Sequence, residues 1–318
     1  MASTKNLRSA VVAILAPLPS ILFYISFLRC HSAADDSLSP LWAWCHHHPL
    51  LLANTLFFLN VDLLFWFIGL LQSSHWMIDL YWMVIPVLLL HFFATHPLAE
   101  FNALRSRLVI FLTSIWSLRL SHCYFRREKW QLGAREDWRF NDMRRRHGQN
   151  WWWISLFAVY ISQQGFLMVI CMPFYVIHAN KKQLNIYDAV AAVVCLNGLT
   201  IAYFADTQIY NFVSRNERLK KEGQPVVPVL DEGLWRYSRH PNYFGEQLWW
   251  SGMAIFAWNL DYSWWFVGPL ANSVCLGIVT VLVEERMLKE EYRAQAYNKY
   301  QQITTSFWIP WFRKQKET

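Results

Sequence analysis

Long apolar runs alternate with shorter polar, mostly basic stretches along nearly the whole chain. The runs lie near Ala10–Leu28, Leu50–Leu71, Trp76–Phe93, Leu108–Leu120, Trp152–Ile177, Ile186–Phe204, Gln247–Trp258 and Trp264–Val283. A segment that crosses a bilayer must satisfy its own backbone hydrogen bonds, and a helix needs about 20 apolar residues to do so. The pattern therefore predicts an all-α fold, a polytopic transmembrane helical bundle of about seven to eight spans, with the fourth and seventh runs short for a full crossing. Lys5 and Arg8 precede the first run as they would in a cleaved signal. That run is long, contains Pro17 and Pro19 and ends without a small-residue cleavage site, so a retained span is expected. The pattern divides the chain into N-terminal spans, residues 1–120, and a C-terminal part, residues 121–318, that begins with a polar loop.

Basic residues set the expected orientation. The loop Ser121–Asn150 carries Arg126, Arg127, Lys129, Arg135, Arg139 and the run Arg144-Arg145-Arg146. Arg215, Arg218, Lys220 and Lys221 crowd the next large loop, and the stretch after Glu284 is basic as well. By the positive-inside rule all three face the cytosol. The chain ends Lys314-Gln315-Lys316-Glu317-Thr318, which resembles the retrieval signal of cytosol-exposed tails in the endoplasmic reticulum, so that membrane is the expected location.

Composition narrows the class further. With 55% hydrophobic and 17% aromatic residues, including 19 Trp, an ordinary soluble domain is excluded. The net charge of +7 is accounted for by anionic lipid and an anionic cofactor, without a nucleic-acid partner. The six cysteines form no CxxC pair, which argues against a zinc site or a disulfide scaffold; Cys30 and Cys45 share an expected lumenal loop and could pair there. His46-His47-His48 cannot all face one ion, so no metal is expected. Trp151-Trp152-Trp153 suits an aromatic belt at the headgroups. Neither GxGxxG nor GxxxxGK[ST] occurs, so any nucleotide must be held by membrane helices.

Between the sixth and seventh runs lies Gly233–Glu246, GLWRYSRHPNYFGE. Pro241 biases His240 away from helical dihedrals and suits the first helical position, so loop should give way to helix there. A helix N-terminus is partly positive, and Arg236, Arg239 and His240 add to it, giving a seat for a phosphate. Tyr243 and Glu246 would project from the first turns. The competing reading is a topology signal that rests in lipid headgroups.

The string Arg239–Glu246, RHPNYFGE, resembles the signature of a membrane family that contains steroid 5α-reductases, sterol reductases and the DUF1295 branch. Isoprenylcysteine methyltransferases carry a looser version. Gly133–Arg139 resembles the Gly-x-x-Glu-Asp-x-Arg segment of the DUF1295 branch, and Ala205-Asp206-Thr207-Gln208 its Ala-Asp-x-Gln. Glu284-Glu285, Tyr292 and Tyr300 resemble a C-terminal pattern shared by reductases and methyltransferases. The resemblance extends from about Trp76 to Pro310. It implies a membrane NADPH-dependent reductase of a carbon–carbon double bond in a steroid-like or other lipophilic substrate, with substrate on the N-terminal spans and cofactor in the C-terminal part. Asp206, Gln208, Arg236, Arg239, His240, Asn242, Tyr243 and Glu246 are the implied cofactor contacts, with Arg135 and Arg139 toward the adenosine-side phosphate. The reductases polarise their substrate carbonyl with a carboxyl–tyrosine pair. The nearest equivalent here is Asp79 with Tyr81, in an Asp-x-x-Trp match, and Asp62 and His91 are further ionisable groups at membrane depth. Two alternatives stay open: a non-catalytic lipid-binding or scaffolding membrane protein, and an S-adenosylmethionine-dependent methyltransferase.

Overall fold

The computed structural model describes residues 2–32 and 39–306; the Lys314–Thr318 tail lies outside them. The described chain is all-α and polytopic. Six helical stretches are long and apolar enough to cross a membrane: Asn6–Cys30, Pro49–Gln72, Ala103–Arg127, Trp138–Ile170, Ile186–Lys221 and Val267–Lys289. Leu118, Phe111, Leu270, Ile278 and Val281 point outward from these stretches, as lipid contact requires. By packing, the chain forms two compact units, Met1–Leu184 and Asn185–Thr318.

The first unit contains α1 (Ala2–Leu15), α2 (Leu18–Ser32), α3 (Pro40–His47), α4 (Pro49–Phe57), α5 (Trp66–Gln72), α6 (Trp76–Tyr81), α7 (Ile85–Thr95), α8 (Ala103–Arg127), α9 (Trp138–His147), α10 (Trp151–Ser155), α11 (Ser162–Ile170) and α12 (Met172–His178). Two π-helical segments interrupt it, Phe58–Phe65 between α4 and α5 and Leu156–Ile161 between α10 and α11. The unit boundary lies well beyond residue 120 because α8 and α12 both pack on α7. Cys30 and Cys45 are both free thiols, the first exposed and the second buried.

Two apolar runs differ from expectation. Trp76–Phe93 is two helices: α6 ends at Tyr81, and α7 restarts at Ile85 with Pro86 in its first turn, where a missing N–H costs nothing. The fourth run, short in sequence, is the 25-residue α8. Its length was hidden by Arg105, which is fully buried and donates to the carbonyls of Lys182 at 2.7 Å and Gln183 at 3.1 Å. An arginine bonded to backbone carbonyls is compatible with a buried first turn that simple hydropathy would reject.

The second unit contains α13 (Ile186–Lys221), α14 (Pro241–Asn259), α15 (Val267–Lys289) and α16 (Glu291–Ile303). A capping box between Asn185 and Asp188 starts α13. At 36 residues α13 is about 54 Å long, well beyond a ~30 Å hydrocarbon layer, so its charged second half extends into water. α13 packs on α14 through Ala191, Cys195, Gly198, Ala202 and Ala205, small side chains alternating four and three residues apart. They let the backbones approach closely. A Cβ on Gly198 would lie 2.6 Å from the Gly245 carbonyl, and one on Gly245 would lie 2.7 Å from the Gly198 carbonyl.

Candidate functional site

The Gly233–Glu246 segment begins pinned to α13. Gly233 has φ +57°, and a Cβ there would come within 2.6 Å of the Gln208 side chain. The Leu234 N–H donates to Gln208 Oε1 at 3.0 Å, and Trp235 Nε1 donates to the Ala205 carbonyl at 3.1 Å. His240 lies outside the helical region at φ −140°, ψ 62°, and Pro241 opens α14, so the switch from loop to helix falls at the expected bond. At the second position of α14, Asn242 Nδ2 donates to Asp206 Oδ1 at 3.2 Å. The fold thus brings Asp206 to Asn242 and Gln208 to Leu234, two separate contacts between segments that are distant in sequence.

Arg239 and His240 face the other way, into the end of the chain. Arg239 Nε donates to Glu284 Oε1 at 2.8 Å and Nη2 to Oε2 at 3.2 Å, a bidentate pair. Its Nη1 donates to the carbonyls of Gln301, at 3.2 Å, and Thr304. His240 Nε2 lies 3.1 Å from Glu284 Oε1, and Gln301 Nε2 donates to Oε2 at 2.7 Å. Backbone bonds extend this fastening: the N–H groups of Arg239 and His240 donate to the carbonyls of Thr305 and Ser306, at 2.8 and 2.9 Å. The Tyr300 hydroxyl donates to the Trp235 carbonyl. The arginine and glutamate side chains are each only 12% exposed, so this network is a partly buried cross-link joining the loop, α15 and α16.

Arg236 differs from its neighbour. It is exposed, and among the described residues it has neither a hydrogen bond nor an ion pair. It lines an open groove of about 450 Å³ with Phe204, Gln208, Gly233, Leu234 and Tyr237. Close by in sequence to that lining, Asn242 Oδ1 and Thr207 Oγ1 are buried without a hydrogen-bond partner. Tyr243 stacks on His240 at 5.0 Å and 13°, and Glu246 is half-buried one turn after Asn242 on α14.

The first unit holds the other candidates. Arg135 is paired with Glu128 at 2.9 Å, and Arg139 grips Asp137 through two side-chain bonds at 2.9 and 2.8 Å, so the charged loop satisfies itself. Burial pushes the Asp137 carboxyl upward, but the Arg139 bonds and charge outweigh it and hold the group below the usual range. The structure does not bring Asp79 and Tyr81 together as a pair. Residues two apart on a helix point to different sides. The Tyr81 hydroxyl donates to the Ala13 carbonyl, and its ring meets Phe65 edge-on at 4.8 Å. Asp79 instead lies in the field of Asp137, Arg127, Arg139 and Glu128. Sequence reasoning missed a neighbouring cluster: Glu136 accepts from the His75 N–H at 2.6 Å and pairs with Arg144 at 2.9 Å, and His75 Nδ1 lies 2.9 Å from the Tyr160 hydroxyl. Burial, aided by Arg144, lowers the His75 imidazole to about 4.

Residues 65–304 match the family described as protein of unknown function, DUF1295. The chain belongs to the DUF1295 family. It is also 25% identical over 262 residues to an uncharacterized protein of Schizosaccharomyces pombe, a match that covers 74% of this chain and 72% of the yeast protein. No solved structure matches it. The DUF1295 match takes in both halves of the site, from the Asp206–Asn242 contact to Thr304, whose carbonyl receives Arg239. It also takes in His75, Glu136 and Tyr160, and it begins after Asp62.

Proposed function

We propose that this protein is an NADPH-dependent reductase of a carbon–carbon double bond in a steroid-like or other lipophilic substrate, resident in the endoplasmic reticulum with its basic loops and C-terminus in the cytosol. The observation that carries the reading is Arg236: an exposed guanidinium, unpaired among the described residues, lining a groove that it shares with Gln208. The residues fit a dinucleotide in kind. Arg236 would take a phosphate, Gln208 would offer its amide beside it, and the buried Asn242 Oδ1 is an acceptor suited to an N–H donor. When bound, NADPH supplies a hydride. The protein's own part is to orient it, exclude water and provide a proton, for which Asp79 remains available while the Tyr81 hydroxyl is committed to Ala13. Arg239, His240 and Glu284 act as the frame that holds the loop in place, and Arg135 and Arg139 would have to leave Glu128 and Asp137 to meet a phosphate.

A second reading, a non-catalytic lipid-binding or scaffolding protein, is favoured by the self-sufficiency of that Arg239–Glu284 frame. Thermal stabilisation of purified protein in detergent separates the readings, since a ligand stabilises the fold that binds it. NADPH should raise the melting temperature more than S-adenosylmethionine does. A rise with S-adenosylmethionine alone supports methyl transfer, and no rise with either supports the non-catalytic reading.

A further inference from the structure

Asp62 sits in the middle of the π-helical segment Phe58–Phe65 and has no exposed surface. Among the described residues neither of its carboxyl oxygens has a hydrogen-bond partner. Three polar side chains on and around this segment find partners within the protein. Asn60 Nδ2 donates to the Ala16 carbonyl at 2.7 Å, and Gln164 Nε2 donates to the Asn54 carbonyl at 2.9 Å. Tyr160 is engaged by His75 and by the Phe65 carbonyl. Asp62, by contrast, is a carboxyl with both oxygens buried and unbonded, and a buried polar group without a partner is costly to keep.

The backbone around it is unusual as well. π-helical turns are rare and occur most often at functional sites, because they widen a helix at a cost in packing. Here two of them, Phe58–Phe65 and Leu156–Ile161, pack on each other. The remaining lining of the first segment is apolar, with Phe57, Val61 and Phe65 buried beside Asp62. An ionisable group at membrane depth that has no partner in the protein is best explained by a partner that is not protein.

The chemistry of that partner follows from the carboxyl. In either protonation form a carboxyl group presents an acceptor oxygen, so the missing group must include a donor. Apolar surroundings favour a neutral donor over a cation. We propose that Asp62 is the recognition residue of an intramembrane site for the hydroxyl end of a lipophilic alcohol, whose O–H donates to the carboxyl while its hydrocarbon body lies among the apolar side chains. Asp62 precedes the DUF1295 match, the site lies within Met1–Leu184, and it stands whether or not NADPH binds.

The test uses the full chain in detergent and four probes with one skeleton: cyclododecanol, cyclododecanone, cyclododecane and cyclododecylamine. Thermal stabilisation should reach its half-maximum at a concentration at least tenfold lower for the alcohol than for the other three. Asp62→Leu should erase that preference without lowering the melting temperature of the unliganded protein, because it removes an unpartnered polar group. Asp62→Asn keeps an acceptor oxygen and should retain most of the preference, which guards against a fold defect in the leucine variant. A ketone as effective as the alcohol, an amine that outcompetes it, or an undiminished alcohol preference in Asp62→Leu would overturn the proposal.

Discussion

Arg239→Ala should destabilise the protein more than the loss of a surface arginine can. The change deletes two bonds to Glu284 and two to the Gln301 and Thr304 carbonyls, all from a side chain only 12% exposed. Glu284 is left with His240 and Gln301 alone. Removing one member of a buried ion pair typically costs 3–5 kcal/mol, and the residual exposure of this pair places it at the low end, about 3 kcal/mol. Arg236→Ala, by contrast, breaks no hydrogen bond or ion pair among the described residues and should change stability by less than about 0.5 kcal/mol. Arg239→Lys keeps the charge but not the fork and should recover less than half of the loss. Unfolding in mixed micelles with increasing sodium dodecyl sulfate measures all three. Limited proteolysis should also show α16 released first in Arg239→Ala, since its end is tied to Ser238–His240. Equal stability of Arg239→Ala and Arg236→Ala would refute the cross-link and return Arg239 to the list of available phosphate contacts.

Three further outcomes are expected. His75 binds its proton near 6.5 in the unfolded chain but only near 4 in the fold, so stability present above pH 6.5 should fall as the pH drops toward 4, by about 3 kcal/mol in all; His75→Gln should flatten that fall in acid unfolding curves. Gly245→Ala places a methyl 2.7 Å from the Gly198 carbonyl and should cost about 1–3 kcal/mol by forcing α13 and α14 apart, read as a lower unfolding midpoint. Single cysteines at Arg144 and Arg218, probed with an impermeant maleimide in sealed microsomes, should label from the same side of the membrane, the cytosolic one.

How much of this was legible in sequence depended on the range of each interaction. The loop-to-helix switch at His240-Pro241 is a local effect of the proline ring, and it stands where the sequence placed it. Long apolar runs were equally readable, but their ends were not: α8 begins at Ala103 behind the Asn102 cap, and Arg105 broke the apolar pattern there because the carbonyls that receive it lie 77 and 78 residues away. The division of labour inside the Arg-rich segment failed for the same reason. Arg236 and Arg239 look alike in sequence, and only the approach of Glu284, 45 residues on, turns one into a cross-link and leaves the other exposed. Asp79 and Tyr81 were coupled by proximity along the chain, which on a helix separates them. The π-helical segments leave no pattern of hydrophobic residues distinct from an α-helix, so the setting of Asp62 emerged only from its missing partners.

The most direct test of the reductase reading is the affinity of the purified protein for NADPH, measured by titration calorimetry for the wild type, Arg236→Ala and Arg144→Ala. A lost charge-assisted hydrogen bond is worth about 1.5–3 kcal/mol, so Arg236→Ala should weaken binding by roughly ten- to a hundredfold. Arg144→Ala, whose guanidinium pairs with Glu136 in the first unit and does not line the groove, should bind as the wild type does. If Arg236→Ala and Arg144→Ala bind NADPH equally, or the wild type binds none, the groove at Arg236 is not a cofactor site and the reductase assignment fails.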